Sequence, residues 1–122
     1  MAGTLTISTL NDSSGVLATQ NGMTGIAKAW LSYDGSTQTI RGSFNISSVT
    51  RSGTGAFTIN FTTAMSNVNY SITGASSTTG GSNPVIIRLP NSPSTTAMSI
   101  ETIQANGTNQ DPVNVCIAIF SS

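Results

Sequence analysis

Four carboxylates, one thiol and a few aromatic side chains are the residues of this chain that could carry chemistry. Histidine is absent from all 122 residues, so the commonest general base and the commonest transition-metal ligand are both missing. Two acids could still serve a glycosidase as its acid and its base. The carboxylates are Asp12, Asp34, Glu101 and Asp111. Their local sequence decides between catalysis and structure.

Each carboxylate has a structural explanation. Asp12 and Asp34 stand beside Ser or Gly in predicted turns, where Asp accepts hydrogen bonds from nearby backbone amides. Asp111 precedes Pro112 and starts another turn, while Glu101 lies on the solvent side of a predicted strand. No Asp-rich loop could gather the several oxygens that Ca²⁺ requires. The sequence therefore predicts no catalytic residue, no metal site and no cofactor.

Cys116 and two aromatic residues are the remaining candidates. Cys116 is the single cysteine, so no intramolecular disulfide forms, and within the apolar run VNVCIAIF it is expected to pack as a small hydrophobic side chain. Trp30 and Tyr33 could form a platform that stacks on sugar rings. Large rings in an alternating strand more often pack in a core or at an interface, and we favour that reading.

The charge content argues against two kinds of partner. Four Lys and Arg oppose four Asp and Glu, and charged residues make up 7% of the chain, against roughly 25% in an ordinary domain. Nucleic-acid binding needs a basic stripe, which four dispersed cations do not form. No signal peptide begins the sequence, and no stretch approaches the roughly 18 apolar residues that span a bilayer. We expect neither nucleic-acid binding nor membrane insertion.

The elements that must position these residues are strands of period two. In GTGAFTINFTTAM, residues 53–65, Phe57, Ile59 and Phe61 share one face and Thr or Asn occupy the other. This alternation indicates an antiparallel strand with one buried and one wet face. Similar patterns occupy residues 4–10, 26–33, 39–49, 68–76, 85–89, 97–103 and 113–120. No segment of helical period competes with them.

Strands about ten residues apart predict an all-β fold, an antiparallel β-sandwich or jelly-roll-like domain. Residues 26–122 form this domain. Residues 1–25 combine scattered apolar residues with turn formers, which predicts an extended N-terminal arm for attachment or subunit exchange. Residues 113–120 are apolar on both faces, which predicts a strand buried on both sides, as at a subunit interface.

One block of the chain resembles a known family. The block comprises KAW at 28–30, RGSFNISSVTRSGTGAFTINFTTAM at 41–65, NY at 69–70 and the closing strand VNVCIAIF. It resembles the C-terminal domain of tail fibre and other virion-surface proteins of tailed bacteriophages, especially marine and cyanobacterial ones. The resemblance covers most of residues 26–75. It implies a β-rich homotrimer, displayed on the virion and assembled in the host cytoplasm, that contacts the host surface without catalysis.

Two sets of site residues follow from the pattern and the resemblance together. The core or trimer-interface candidates are Trp30, Phe57, Phe61, Val115, Ile117 and Ile119. The candidates for exposed loops that would contact a receptor are Ser76, Thr79, Asn83, Asn91 and Thr95. The implied partners are other virion proteins of the tail or capsid and a glycan or protein of the host surface.

Two virion roles and one enzymatic role stay open at this point. A tail fibre or receptor-binding module is favoured by the resemblance. A capsid decoration (cement) protein is favoured by the arm, because the domain starts after about 25 residues, a reach of at most about 85 Å, too short for a fibre shaft. A depolymerase is disfavoured by the missing histidine and the lack of paired acids.

Overall fold

The computed structural model describes residues 3, 26–79 and 84–121. The predicted arm, apart from Gly3, and the candidate Asn83 lie outside the described residues. Within the described part the chain has eight strands and no helix, as the alternation predicted. The strands are β1 Ala29–Asp34, β2 Thr39–Phe44, β3 Ile46–Gly53, β4 Ala56–Phe61, β5 Ser71–Ser77, β6 Val85–Arg88, β7 Ala97–Gln104 and β8 Asn114–Phe120.

All eight strands belong to one antiparallel sheet in the order β2-β1-β8-β5-β6-β7-β4-β3. The sheet curves until its ends approach each other, since the rings of Tyr33 on β1 and Phe57 on β4 meet edge to face at 5.5 Å. Four other strands lie between β1 and β4 in the sheet order. A single curved sheet therefore encloses the core.

The core consists of the inward residues of each strand, because successive side chains of a strand point to opposite faces. Phe57, Ile59 and Phe61 are 1%, 0% and 8% exposed, so the predicted inward face of β4 is confirmed. The other strands contribute Ala29, Leu31, Tyr33, Val85, Met98, Ile100, Val115, Ile117 and Ile119. Burying this set from water is the main term that stabilises the fold.

The prediction of one strand over residues 39–49 is wrong, because the chain breaks at Asn45. This residue has a φ of 57°, in the left-handed region that Asn tolerates better than most residues. The break separates β2, which pairs with β1, from β3, which pairs with β4. The β1–β2 register also shifts between Gly42 and Ile40, where β2 carries one extra residue.

Candidate functional site

An uncharged patch lies on the outward side of β2, β1, β8 and β5, bordered by Arg41, whose guanidinium donates to Asn114, and we call this patch the outer face. Its residues are Trp30, Ser32, Phe44, Thr73, Ala75, Cys116 and Ala118. Part of this surface is an open groove of about 520 Å³. Six of the seven side chains are apolar, aromatic or hydroxylic, the seventh is a thiol, and none carries a fixed charge.

The strand register explains how these residues come together. Trp30 on β1 pairs with Ala118 on β8, which pairs with Thr73 on β5, so the three lie in one row. Ser32, Cys116 and Ala75 form the next row in the same way. Residues two apart on a strand share a face, so neighbouring rows on the outward side together form a continuous patch.

Two large aromatic side chains stand on the outer face. Trp30 is 43% exposed and pairs in register with Phe44, which is 53% exposed. The Trp30 ring lies against the β2 backbone, where a Cβ on Gly42 would come within 3.3 Å of it. Gly42 therefore allows the indole to approach the neighbouring strand.

The sequence pattern missed Phe44 as a surface residue. Phe44 and Ile46 are two residues apart, which in an unbroken strand places them on one face. The bend at Asn45 separates them, since Phe44 is exposed while Ile46 packs against the core. The available signal was Asn45 itself, a residue type that accepts positive φ.

The alternative that Trp30 and Tyr33 form one sugar-binding platform is wrong, because the two rings lie on opposite faces of β1. Tyr33 is 2% exposed and packs against Phe57 in the core. Burial, and after it the negative charge of Asp111, raises the pKa of Tyr33, so its phenol stays neutral around neutral pH. Of the two rings only that of Trp30 is exposed, and the aromatic residue opposite it on β2 is Phe44.

Cys116 does not pack in the core of this chain, because its thiol is exposed. Within β8, Val115 and Ile117 point inward and Cys116 points to the outer face. An apolar run cannot distinguish a strand buried on both faces from one whose second face is open in the isolated protomer. In this protomer the outward side of β8 is open.

The candidate residues predicted for the core and for the loops lie in the core, on the outer face or outside the strands. Phe57, Phe61, Val115, Ile117 and Ile119 all lie in the core of the protomer, whereas Trp30 lies on the outer face. Thr79 and Asn91 are exposed outside the strands, and Thr95 is half-buried.

Ser76 is not a loop residue, in contrast to the prediction. It lies within β5, and its hydroxyl donates to the Val85 carbonyl at 2.8 Å. The sequence predicted that the strand ends and a low-complexity loop begins at Ser76, but the β5–β6 pairing of Ser76 with Val85 extends the strand to Ser77. Polar side chains tolerate an exposed strand position, so composition placed the boundary too early.

Each carboxylate within the described residues accepts from an arginine. The pairs are Arg41–Asp34, Arg51–Asp111 and Arg88–Glu101, with nitrogen–oxygen distances of 2.5, 2.7 and 2.5 Å. Asp12 lies outside the described residues. No group of three or more potential metal ligands occurs in the part of the chain that the structure describes. Because each of the three carboxylates is paired with an arginine, their role in the described part of the chain is to hold strands and turns together.

The Asp111 carboxylate connects two loops at one end of the sheet. One oxygen accepts from the Gly55 amide at 2.7 Å, and the other accepts two hydrogen bonds from Arg51. Burial raises the pKa of Asp111, but the Arg51 and Gly55 hydrogen bonds and the Arg51 charge outweigh it, and the net shift is downward.

The Asp34 carboxylate shapes the turn after β1, as the sequence predicted. Its Oδ1 accepts from the Ser36 hydroxyl at 2.6 Å and from the amides of Ser36 and Thr37. The Ser36 hydroxyl, the Thr37 amide and the charge of Arg41 lower the pKa of Asp34 from 3.8 to about 2. Both aspartates are therefore stabilised in the ionised form.

We expect the protein to lose stability in acid. A carboxyl group whose pKa is lower in the folded state stabilises the fold above its unfolded pKa, and this contribution disappears as pH falls through the folded pKa. For Asp34 the loss falls between about pH 4 and pH 2. Urea unfolding across this range should show a falling midpoint in the wild type.

Asp34→Asn is the matched variant for this acid effect. It should be less stable than the wild type near neutral pH and should lose less stability on acidification, because the titrating carboxylate is gone. Equal pH slopes for the two proteins would contradict a role for the Asp34 turn.

Comparison with known proteins adds no family to this description. No family model matches the chain, and neither a curated protein nor a solved structure matches it. Among the described residues there is no helix long and apolar enough to cross a membrane.

Proposed function

We propose that this chain is a non-enzymatic surface protein of a bacteriophage virion, a module of the tail-fibre or receptor-binding type. Three copies assemble into a homotrimer, which attaches to other virion proteins and contacts a glycan or protein of the host surface. The segments that resemble the phage domain, 28–30 and 41–65, contribute to β1, β2, β3 and β4. The resemblance thus spans the strands at both ends of the sheet.

The outer face is the observation that carries this proposal. Exposed aromatic side chains with few charges are typical of the centre of a protein interface, and large exposed apolar patches on a protomer indicate a binding surface. Trp30 and Phe44 provide the aromatic area, and small residues such as Ala75 and Ala118 let a second surface approach closely. A second copy meets no charge repulsion there, because the face itself is uncharged.

The finer architecture belongs to the same proposal. We assign the curved sheet to the sandwich or jelly-roll class, since its strands face one another across a common core. The supporting contacts are the ring pairs Tyr33–Phe57 and Phe61–Tyr70, at 5.5 and 5.9 Å between centroids. In the trimer the core stays within each protomer, and the outer faces contact one another. The exposed residues Thr79 and Asn91 remain free to meet the host surface.

Localisation on particles tests the virion role directly. Antibodies raised against residues 26–122 should label purified particles of the phage that encodes this chain, and should reduce adsorption to its host. Labelling confined to the tail supports the receptor-binding module, whereas dense labelling of the head indicates the decoration role instead. Particles that carry none of the protein would contradict both.

Cys116 gives a chemical test of the proposed trimer contact. It is the single cysteine and is exposed on the outer face of the protomer. If this face is buried between copies, a maleimide reagent should modify the assembled protein at least about tenfold more slowly than the unfolded chain, because reaction then needs the interface to open. Mass spectrometry of samples quenched over time measures both rates.

Two controls accompany this labelling. Cys116→Ser should take up no reagent, since no other thiol exists in the chain. Trp30→Ala should speed the labelling of folded protein and lower its mass in sedimentation, because it removes a large exposed ring from the face. A folded wild type that reacts as fast as unfolded chain would overturn the assignment of the outer face as the contact.

A further inference from the structure

A second concave site lies near the outer face, where three chain segments meet. The start of β1, the corner between β2 and β3, and the segment after β4 enclose a pocket of about 440 Å³. Its polar and aromatic wall is formed by Lys28, Phe44, Asn45, Thr62 and Thr63, and Met65 lies beside them. Small-molecule sites in proteins are commonly of this size and shape.

Asn45 holds the pocket wall in place. Its side-chain NH₂ donates to the carbonyls of Lys28 and Thr63, both at 3.1 Å. Its side-chain oxygen accepts from the Thr63 amide at 2.7 Å, and its own carbonyl accepts from the Thr62 amide. One residue thus joins all three segments, so the wall is organised before any ligand arrives.

Lys28, which lines the pocket, is the uncompensated cation of the described chain. All three arginines pair with the three described carboxylates, and Lys28 takes part in no ion pair with the described residues. The net positive charge of the described part therefore belongs to Lys28. In a protein with so few charges, an anion encounters this ammonium without competing acids nearby in the pocket wall.

The remaining groups of the wall suit a hydroxylated ligand. The side-chain hydroxyls of Thr62 and Thr63 make no hydrogen bond within the described part, and both residues are exposed. Phe44 is 53% exposed and offers an apolar ring at the same pocket. The ammonium can bind a carboxylate, the free hydroxyls can exchange hydrogen bonds with sugar hydroxyls, and the aromatic ring can pack on the apolar face of a sugar ring.

We infer that this pocket binds an acidic sugar residue. The sugar carboxylate pairs with the Lys28 ammonium, its hydroxyls exchange hydrogen bonds with Thr62 and Thr63, and its apolar face contacts Phe44. A single cation favours a carboxylate over a phosphate, whose larger charge is usually met by several cations. The inference names a ligand class for a pocket that lies within one protomer. Phe44 borders both this pocket and the outer face, and the sugar contacts it from the pocket side.

The test is a titration of the folded protein with glucuronic acid, followed by NMR of backbone amides. Saturable shifts should appear at residues 27–28, 44–45 and 62–65, and glucose should bind at least about tenfold more weakly, because it lacks the charge-assisted contact. Acetate should also bind more weakly than glucuronic acid, because it lacks the hydroxyls and the ring. Acetate that binds equally well would reduce the site to an anion site and overturn the inference.

Three variants separate the pocket from general charge effects. Lys28→Gln should weaken binding of glucuronic acid by about tenfold or more. Arg88→Gln removes the same charge from the exposed pair with Glu101 and should leave the affinity unchanged. Phe44→Ala should weaken the binding of glucuronic acid but not the binding of acetate. The inference fails if Lys28→Gln binds like the wild type, if glucose binds as tightly, or if the shifts map elsewhere.

Discussion

Phe57→Ala is expected to lower the free energy of unfolding by about 3–5 kcal/mol, the largest effect of any single side-chain truncation proposed here. Phe57 is 1% exposed and lies edge to face against Tyr33 at 5.5 Å. Removing its ring leaves a cavity where the two ends of the curved sheet pack together, and it removes the aromatic contact as well. Urea unfolding followed by tryptophan fluorescence measures the change, since Trp30 is the single tryptophan.

Phe44→Ala is the matched control, because it deletes the same atoms from a side chain that is 53% exposed. We expect the monomeric domain to lose less than about 1 kcal/mol from this change, as surface substitutions usually do. Any larger cost that depends on protein concentration would report loss of the proposed trimer instead. Equal losses for the two variants at low concentration would contradict the assignment of inward and outward faces.

Gly55→Ala is expected to cost more than about 3 kcal/mol, or to prevent folding. Gly55 has a φ of +66°, and a Cβ there would lie 2.6 Å from the Thr102 carbonyl and 2.8 Å from the Gln110 amide nitrogen. These contacts are backbone atoms, which cannot move aside as a flexible side chain can. The clash would also disturb the Gly55 amide, which donates to Asp111, and the Gly55 carbonyl, which accepts from Thr102.

Gly107→Ala separates backbone strain from steric clash. Gly107 has a φ of +86°, but a Cβ there would meet no atom within 4 Å. Its substitution should therefore cost only the roughly 1–2 kcal/mol of a non-glycine residue with positive φ. Thermal unfolding by circular dichroism compares the two variants. A Gly55→Ala protein as stable as Gly107→Ala would show that the loops held by Asp111 can separate without loss.

Much of the local structure could be predicted from the sequence, because burial in a strand follows a period of two. The inward set Phe57, Ile59 and Phe61 was predicted correctly, as was the Asp34 turn. The all-β class followed from the same alternation and from the spacing of turn residues. These features depend on a few neighbouring residues, so a local reading was sufficient.

The candidate site was harder to predict, because exposure on a face depends on what lies over it. Cys116 and Trp30 stand in apolar or aromatic sequence surroundings, yet both are exposed in the protomer. Phe44 was placed beside Ile46 until the positive φ of Asn45 separated them. At the pocket, the Asn45 side-chain amide bonds to Lys28, 17 residues before it, and to Thr63, 18 residues after it. A local sequence pattern does not reveal contacts at this separation.

The sequence by itself determined the strands, the identity of the inward side chains and the scarcity of charge, since these depend on composition and on alternation along the chain. Only the tertiary structure decided that the strands form one curved sheet, that Asn45 turns the chain between its two ends, and that every described carboxylate is held by an arginine. The reason is physical: side-chain direction follows from adjacent residues, whereas strand order and ion pairs follow from contacts between residues far apart in sequence.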